Sequence, residues 1–388
     1  MQIHKMRRSI LFLFLFLILA AHQISAQTWS PLTRLTWNSG DSRMPSIAVS
    51  SSSNIHISWW DYSTGNAEIF YEGSTDGGTT WSAPARMTWN TGTSREPAIA
   101  SNSGSGVHLV WWDDSPGNWE IYYKSSTNNG VSWSGLTRLT WNTDASYYAS
   151  IAADSSGGVY VVWTDNVSGD PNICFKRSTD AGATWSGITR LSWTTGLSYN
   201  PRVATGSGSS VHVVWYDNVT GNSEIYYKRS TDGGTTWSGL TRLTWNTGWS
   251  SNPNITAGTS GKIHVVWWDE SPGNYEIFYK GSSDSGSSWS GITRLTWNAG
   301  MSDFPSIAAD SGGGIHVVWD DSPSSGKYDI FYKNSSDSGS TWSALTRLSW
   351  NSGDSVLPRI AVDSGGGVHV VWEDDTPNNS EIFYKKRK

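Results

Sequence analysis

One tryptophan returns through this chain at a nearly constant interval: Trp37, Trp89, Trp141, Trp193, Trp245, Trp297 and Trp350 are 52 residues apart five times and 53 once. A unit of that length is too small to bury its own apolar face, so each copy must cover its neighbour's. Periods in this range belong to solenoids, propellers and arrays, and the repetition outranks the two or three domains that 388 residues would otherwise suggest.

Each copy reads as four short strands. In the second, Pro97-Ala98-Ile99-Ala100 is a run of mostly small residues suited to a crowded place near an axis. Val107 to Asp113 alternates between two faces, as a strand does. Glu120 to Lys124 follows a Pro-Gly-Asn turn, and a fourth strand is expected from Ser132 through Trp141. With 26 tryptophans, 40 glycines and no helical periodicity after the leader, seven such copies predict an all-β, seven-bladed β-propeller, four antiparallel strands per blade. The segment Thr28 to Trp37 is a fourth strand alone, and the last copy stops after its third, Glu381 to Tyr384. The N-terminal strand should therefore complete the last blade and close the ring, removing two unpaired sheet edges.

Residues 1–26 have the make-up of a secretory signal peptide: Lys5, Arg7 and Arg8, an apolar run from Ile10 to Ala21, then Ser25-Ala26 at the expected cleavage point. The run is shorter than the roughly 20 residues of a membrane-spanning helix, and no second apolar stretch follows. The propeller is thus expected over 27–388, in an extracellular or periplasmic location. Removing those three cations from the 27 basic residues leaves 24 against 33 acids, a formal charge of −9. That balance argues against a nucleic-acid partner, which needs a basic face. The one basic run, Lys385 to Lys388, reads as a solvated tail. The single cysteine, Cys174, stands where other copies have Tyr122 or Tyr226 and reads as a buried substitute for an aromatic, with no disulfide framework or cysteine-based metal site possible.

The most specific motif joins the third and fourth strands: Ser74-Thr75-Asp76-Gly77-Gly78-Thr79-Thr80-Trp81. It recurs at 178–185, 230–237, 282–289 and 335–342, and at 126–133 with Asn128 in place of the acid. Asp76, Asp180, Asp232, Asp284 and Asp337 can accept from turn N–H groups, Gly78 can take positive φ, and Trp81 can plug the space between sheets. The spacing S-x-D-x-G-x-[ST]-W resembles the Asp-box repeat of bacterial sialidases and of non-enzymatic BNR-type propellers. The resemblance spans the mature chain and implies architecture, since in that family the Asp box lies away from the active site. A sialidase would also imply an arginine triad, a Tyr nucleophile backed by Glu, and an Asp acid/base. Arg43-Met44-Pro45 is similar to the R-I-P segment of sialidases, and Arg95-Glu96-Pro97 repeats it. The chain departs from that pattern in having seven nearly identical copies rather than six uneven blades.

Comparison between copies separates scaffold from site. The arginine of the fourth strand (Arg34, Arg86, Arg138, Arg190, Arg242, Arg294, Arg347), the acid of the third (Glu68, Glu120, Glu224, Glu276, Asp329, Glu381) and the recurring histidines (His56, His108, His212, His264, His316, His369; Tyr160 in the third copy) serve every blade. Arginine and acid suggest a structural ion pair, and histidines spread round a ring cannot converge on one metal. Positions that differ lie before the first strand and after the second. Among them Arg43, Arg95, Trp60, Trp112, Tyr148, Tyr216, Trp268 and Asp320 are the candidate ligand-binding residues: aromatic faces beside polar groups suit a sugar. The rim acids (Asp61, Glu96, Asp113, Asp217, Asp269, Asp303, Asp320, Glu373) single out no catalytic pair. The expected function is non-catalytic glycan binding on the face opposite the Asp boxes, with no catalytic residue, metal or cofactor assigned. Two rivals stay open: an exo-sialidase or related glycosidase using Arg43 and Arg95, and a protein-interaction scaffold.

Overall fold

The computed structural model describes residues 28–166, 169–322, 326–376 and 378–387; the signal-peptide reading lies outside them. Seven four-stranded antiparallel sheets form the blades. In the second blade the strands are Ser94–Ser101, Val107–Asp113, Glu120–Ser126 and Thr137–Arg138, from the axis outward. The ring closes as expected: Thr33–Arg34 pairs with Glu381–Arg387, placing Thr33 opposite Tyr384 and Arg34 opposite Phe383. No helix among the described residues is long and apolar enough to cross a membrane.

The outermost strands are only two residues long, shorter than the expected Ser132 to Trp141. Side-chain hydroxyls take over from the backbone ladder there. Ile69 N–H donates to Thr88 Oγ1 (2.9 Å) and Gly73 N–H to Ser82 Oγ (3.1 Å), and the equivalent bonds recur round the ring.

Every core is shared by two blades. One joins Ile69, Tyr71 and Met87 to Ile99, Leu109 and Trp111 of the next blade, and the closing core joins Leu35, Val371 and Ile382 to Ile55, Ile57 and Trp59. At the centre of each stands one of Trp59, Trp111, Trp163, Trp215, Trp267, Trp319 and Trp372, all at most 1% exposed. Truncating such a side chain costs about 3–5 kcal/mol, so each interface is a large share of the whole stability.

The Asp box hooks one blade onto the previous one. Ser74 Oγ and two backbone N–H groups, those of Thr79 and Thr80, donate to Asp76 Oδ1 at 2.8–2.9 Å, holding its carboxyl well below the usual range. Asn128 keeps the same geometry without charge, accepting from Ser132 N–H and donating to Ser132 Oγ. The motif tryptophan then meets a third-strand ring of the preceding blade edge-on: Trp133 on Tyr71, Trp185 on Tyr123, Trp81 on Tyr384, at 4.9–5.0 Å. The last blade has no Asp box, and Trp29 supplies the indole against Tyr332. The motif glycine is needed twice over: Gly130 has φ +82°, and a Cβ there would overlap the Tyr71 hydroxyl.

That hydroxyl shares a hydrogen bond with the blade's histidine, as His56 Nδ1 with Tyr71 (2.8 Å) and His108 Nδ1 with Tyr123 (2.8 Å). Burial holds both imidazoles down at about 4. The third blade has lost both partners together: Phe175 has no hydroxyl to offer, and Tyr160 donates to Asp154 instead (2.7 Å). The expected ion pair is present too, Arg86 with Glu68 at 2.8 Å and Arg34 with Glu381 at 2.7 Å, with Asn172 replacing the acid opposite Arg190. Cys174 is buried opposite Arg190, at the register where Tyr226 faces Arg242.

The basic run at the C-terminus is not a solvated tail. Lys385 to Arg387 belong to the last third strand: Lys385 is buried and donates to Leu348 O (2.7 Å), and Arg387 lies over Trp29 and Tyr332. Five blades use a lysine in this way to reach the preceding blade, as Lys124 to Met87 O (2.8 Å) and Lys176 to Leu139 O (2.8 Å). The first blade has Glu72 there, which repeat equivalence places against the Leu35 carbonyl at the closing seam. Glu72 is buried, its Oε2 has no partner among the described residues, and burial pushes its carboxyl up to about 8.

Two outcomes follow from this packing. Gly130→Ala should destabilise by about 1–3 kcal/mol in urea unfolding, through overlap and lost positive φ together, whereas Gly117→Ala, with φ +102° but open space around it, should show the backbone cost alone. Glu72 binds its proton more tightly folded than unfolded, so its contribution to stability falls as pH rises from about 4.5 to 8. The melting temperature of Glu72→Gln relative to wild type should therefore climb across that window; a constant difference would exclude a titrating Glu72.

Candidate functional site

Each innermost strand is broken by a bulge two residues from its start, with the register skipping between Arg43 and Ser46, between Arg95 and Ala98, and at the equivalent place in the other blades. At each bulge one residue is left-handed: Met44, Glu96, Tyr148, Asn200, Asn252, Phe304 and Leu357 have φ between 45° and 55°. This conformation suits glycine or asparagine. It is costly for the bulkier side chains, by roughly 1–3 kcal/mol each, and six of the seven also precede a proline, which disfavours it further. Five of the seven, Met44, Glu96, Tyr148, Phe304 and Leu357, thus keep a bulky side chain at a strained position on the wall of the central channel.

The channel has a cavity of about 470 Å³ at this level. Three consecutive blades give it an apolar arc, Phe304, Leu357 and Met44, and the other four a polar arc, Glu96, Tyr148, Asn200 and Asn252. Neighbours on the polar arc are linked: Asn200 Nδ2 donates to Asn252 Oδ1 (2.7 Å), and Asn252 Nδ2 lies 3.5 Å from Asp303 Oδ1. The bulge N–H groups are fixed by side chains of the preceding blade, Met44 by Glu373 Oε2 (2.9 Å), Leu357 by Asp320 Oδ2 (2.9 Å) and Asn200 by Thr164 Oγ1 (3.3 Å).

Two arginines that sequence reasoning missed also line the channel. Arg202 and Arg359 follow the bulge prolines, where the other copies have Ser46, Ala98, Ser150, Asn254 and Ser306. Comparison between copies would have found them, had it been carried one position past the proline. Each donates from Nη1 to the carbonyl before it, Pro201 O and Pro358 O, both at 3.0 Å, and neither has an ion-pair partner within 4.0 Å among the described residues. Enclosure by the channel, and then the field of Arg359, lower Arg202 to about 9. Glu96 lies in the field of Arg202, Arg359 and Arg95, yet burial dominates and raises its carboxyl. Tyr148 is within electrostatic reach of Glu96 and Arg202, and its phenol is pushed upward, first by burial and then by the Glu96 charge.

The sequence-predicted residues divide. Tyr148 and Tyr216 line the channel. Asp320 is buried beside it, in the fields of Asp303 and Arg359, and its carboxyl is pushed well up by burial. Trp60, Trp112 and Trp268 are 4–7% exposed, so they offer no open face to a sugar. Trp112 is stacked under Trp119 at 4.6 Å and Trp268 under Tyr275 at 4.1 Å. Arg43 is paired with Asp41 at 2.9 Å, and Arg95 lies against Trp60 and donates to the Tyr62 hydroxyl. Neither guanidinium lines the channel cavity. Of the rim acids, Asp61, Asp113, Asp217 and Asp269 accept from a buried serine of the first strand, as Ser42 Oγ to Asp61 (2.6 Å), and are structural. That leaves Glu96, Asp303, Asp320 and Glu373. Across the strands Asp303 faces Asp320, and burial raises the Asp303 carboxyl to about 6.

Among solved structures, a Hadza microbial sialidase is similar to this chain, with 16% identity, a TM-score of 0.55, and coverage of 86% of this chain and 76% of that one. An ulvan lyase from a new family of polysaccharide lyases has 11% identity, a TM-score of 0.63, and coverage of 91% and 95%. A protein of unknown function from Dyadobacter fermentans has 12% identity, a TM-score of 0.59, and coverage of 92% and 99%. At such identities the likeness is one of fold. No curated protein matches the chain in sequence. The BNR repeat-like domain matches residues 65–317, and with the Asp-box ring described above it identifies the chain as a member of the BNR-repeat β-propeller family.

Proposed function

We propose that this protein is an extracellular carbohydrate-binding propeller that takes an acidic sugar at the mouth of its central channel. The observation that carries the reading is the pair Arg202 and Arg359, guanidiniums enclosed in a channel without ion-pair partners among the described residues, in a cavity that Phe304, Leu357 and Met44 also line. Guanidinium forks suit a carboxylate or sulfate, and the apolar arc suits the C–H face of a pyranose. The ulvan lyase neighbour is bound to -[GlcA(1-4)Rha3S]- in its structure, a ligand of that chemistry. The strain kept at the five bulges that lack asparagine supports the same reading, because glycine would relieve it and would also remove the lining side chains.

One observation favours an enzyme as a second reading: Tyr148, Glu96, Arg202 and Arg359 share one electrostatic neighbourhood, the residue types of a sialidase centre. The direction of the Tyr148 shift argues the other way. A phenol pushed up by burial and by a nearby carboxylate is less ready to act as a nucleophile.

Binding of sulfated or uronic acid oligosaccharides, followed by calorimetry, should weaken about tenfold or more in Arg202→Ala and Arg359→Ala, and should weaken with salt. Phe304→Gly should gain about 1 kcal/mol of stability while losing affinity. Unchanged binding in all three variants would remove the channel as the site. Steady release of product from a fluorogenic sialoside, abolished by Arg202→Ala, would replace the binding reading with the enzymatic one.

A further inference from the structure

The repeating tryptophans that set the 52-residue period are not in the core. Trp37, Trp89, Trp141, Trp193, Trp245, Trp297 and Trp350 are between 62% and 75% exposed. Each sits just beyond the outermost strand, in the loop that leads to the next blade. That loop shares a face with the loop between second and third strands, since Asn66 Nδ2 donates to Asn90 O (3.1 Å) and Gly92 O (2.5 Å). The seven indoles therefore form an outer ring on the face that carries the channel mouth.

Their backbone is held firmly on both sides. The residue before each is buried, as Thr88 and Thr140, and the asparagine after Trp89 donates to the buried Asp113 (2.6 Å). A guanidinium stands 4.2–6.0 Å from each ring centre, Arg34 by Trp37, Arg86 by Trp89 and so on round the ring. That guanidinium is half used. In Arg86, Nε donates to Thr88 O and Nη2 to Glu68, while Nη1 makes no hydrogen bond among the described residues; the other six arginines repeat this.

Shielding the interblade lysine does not account for an invariant tryptophan here. Lysines lie 5.0–5.3 Å from five of the rings, but the first blade has Glu72 in place of that lysine and Trp37 is kept. Packing does not account for it either, because most of each indole is in solvent. A rigidly mounted aromatic ring, mostly in solvent, with a free guanidinium N–H donor beside it, is the chemistry that stacks a pyranose ring by its C–H face and bonds one of its hydroxyls.

We propose that these seven tryptophans, each with the Nη1 group of its arginine, are seven peripheral subsites for pyranose residues of a polysaccharide, separate from the channel. One subsite is weak, and a ring of them gains by avidity on a repetitive glycan surface.

The test titrates the whole mature protein with short neutral and acidic oligosaccharides, reading stoichiometry by calorimetry and indole fluorescence, and measures retention on the immobilised parent polysaccharides. Wild type should bind about seven saccharides per chain. Replacing Trp89, Trp141 and Trp245 together by alanine should lower this to about four, with a melting temperature close to wild type, and should weaken retention more steeply than it weakens any single site. Arg202→Ala should leave the peripheral stoichiometry unchanged, so the outer ring and the channel succeed or fail separately. Three results would overturn the proposal: no saccharide binding that depends on these tryptophans, a large fall in melting temperature showing that the indoles serve the fold, or self-association of wild type that the triple variant abolishes, showing that a second copy covers the ring.

Discussion

Every blade of this protein is only half of a core, and the burial of one tryptophan between successive sheets is what the remaining structure depends on. Trp59, Trp111 and their five equivalents have no solvent-accessible alternative once the ring closes, and the edge-on contacts of the Asp-box tryptophans fasten the same interfaces from outside. Apolar burial is non-directional and would allow a spiral as well as a ring. Closure comes from the directed contacts at the seam: Thr33–Arg34 in register with the last third strand, Arg34 on Glu381, and Trp29 on Tyr332. The seam is also where the repeat is imperfect, with Glu72 in place of a lysine and Trp29 standing in for a whole Asp box.

The architecture was legible because it rests on repetition. A period, a turn motif with acceptor and glycine at set positions, and a pair of opposite charges on adjacent strands all leave marks in a single sequence, and the ring, the Asp-box hooks and the Arg–Glu pairs lie where those marks put them. The site was less legible, for two physical reasons. Whether an aromatic in a strand faces a void or a neighbouring ring depends on the adjacent loop, and Trp119 and Tyr275 cover Trp112 and Trp268 from loops that vary in sequence. A bulge shifts the inward-facing set by one residue, so the side chains that line the channel are not those that strict alternation would choose. Arg202 and Arg359 sit just past that bulge, in a stretch that reads as a strand of small residues.

Identity between copies carries two different meanings, and burial separates them. The histidine, the Asp-box glycine and the strand arginine are repeated because they hold a blade together or fasten it to its neighbour, and each has its hydrogen bond or close contact in the fold. The exposed tryptophans are repeated with no such need. Residues kept in every copy but left in solvent suit a role performed once per blade, just as residues that vary between copies, such as those at the bulges, suit a role performed once per ring.

With the two proposed sites, that division would place two kinds of recognition on one face. The channel breaks the sevenfold symmetry: Phe304, Leu357 and Met44 on one side, Glu96 to Asn252 on the other, with two guanidiniums enclosed among them, make an asymmetric cleft for a single group. The periphery repeats one tryptophan in every blade, and repeated weak contacts on a rigid ring would favour an extended, repetitive ligand over a compact one. A polymer gripped at several outer points would present its chain to the channel at high local concentration, so the affinity of the proposed central site for one acidic residue would not need to be high. A propeller supplies this combination readily, because its blades fix the spacing of the outer sites while its bulges leave the inner wall free to vary.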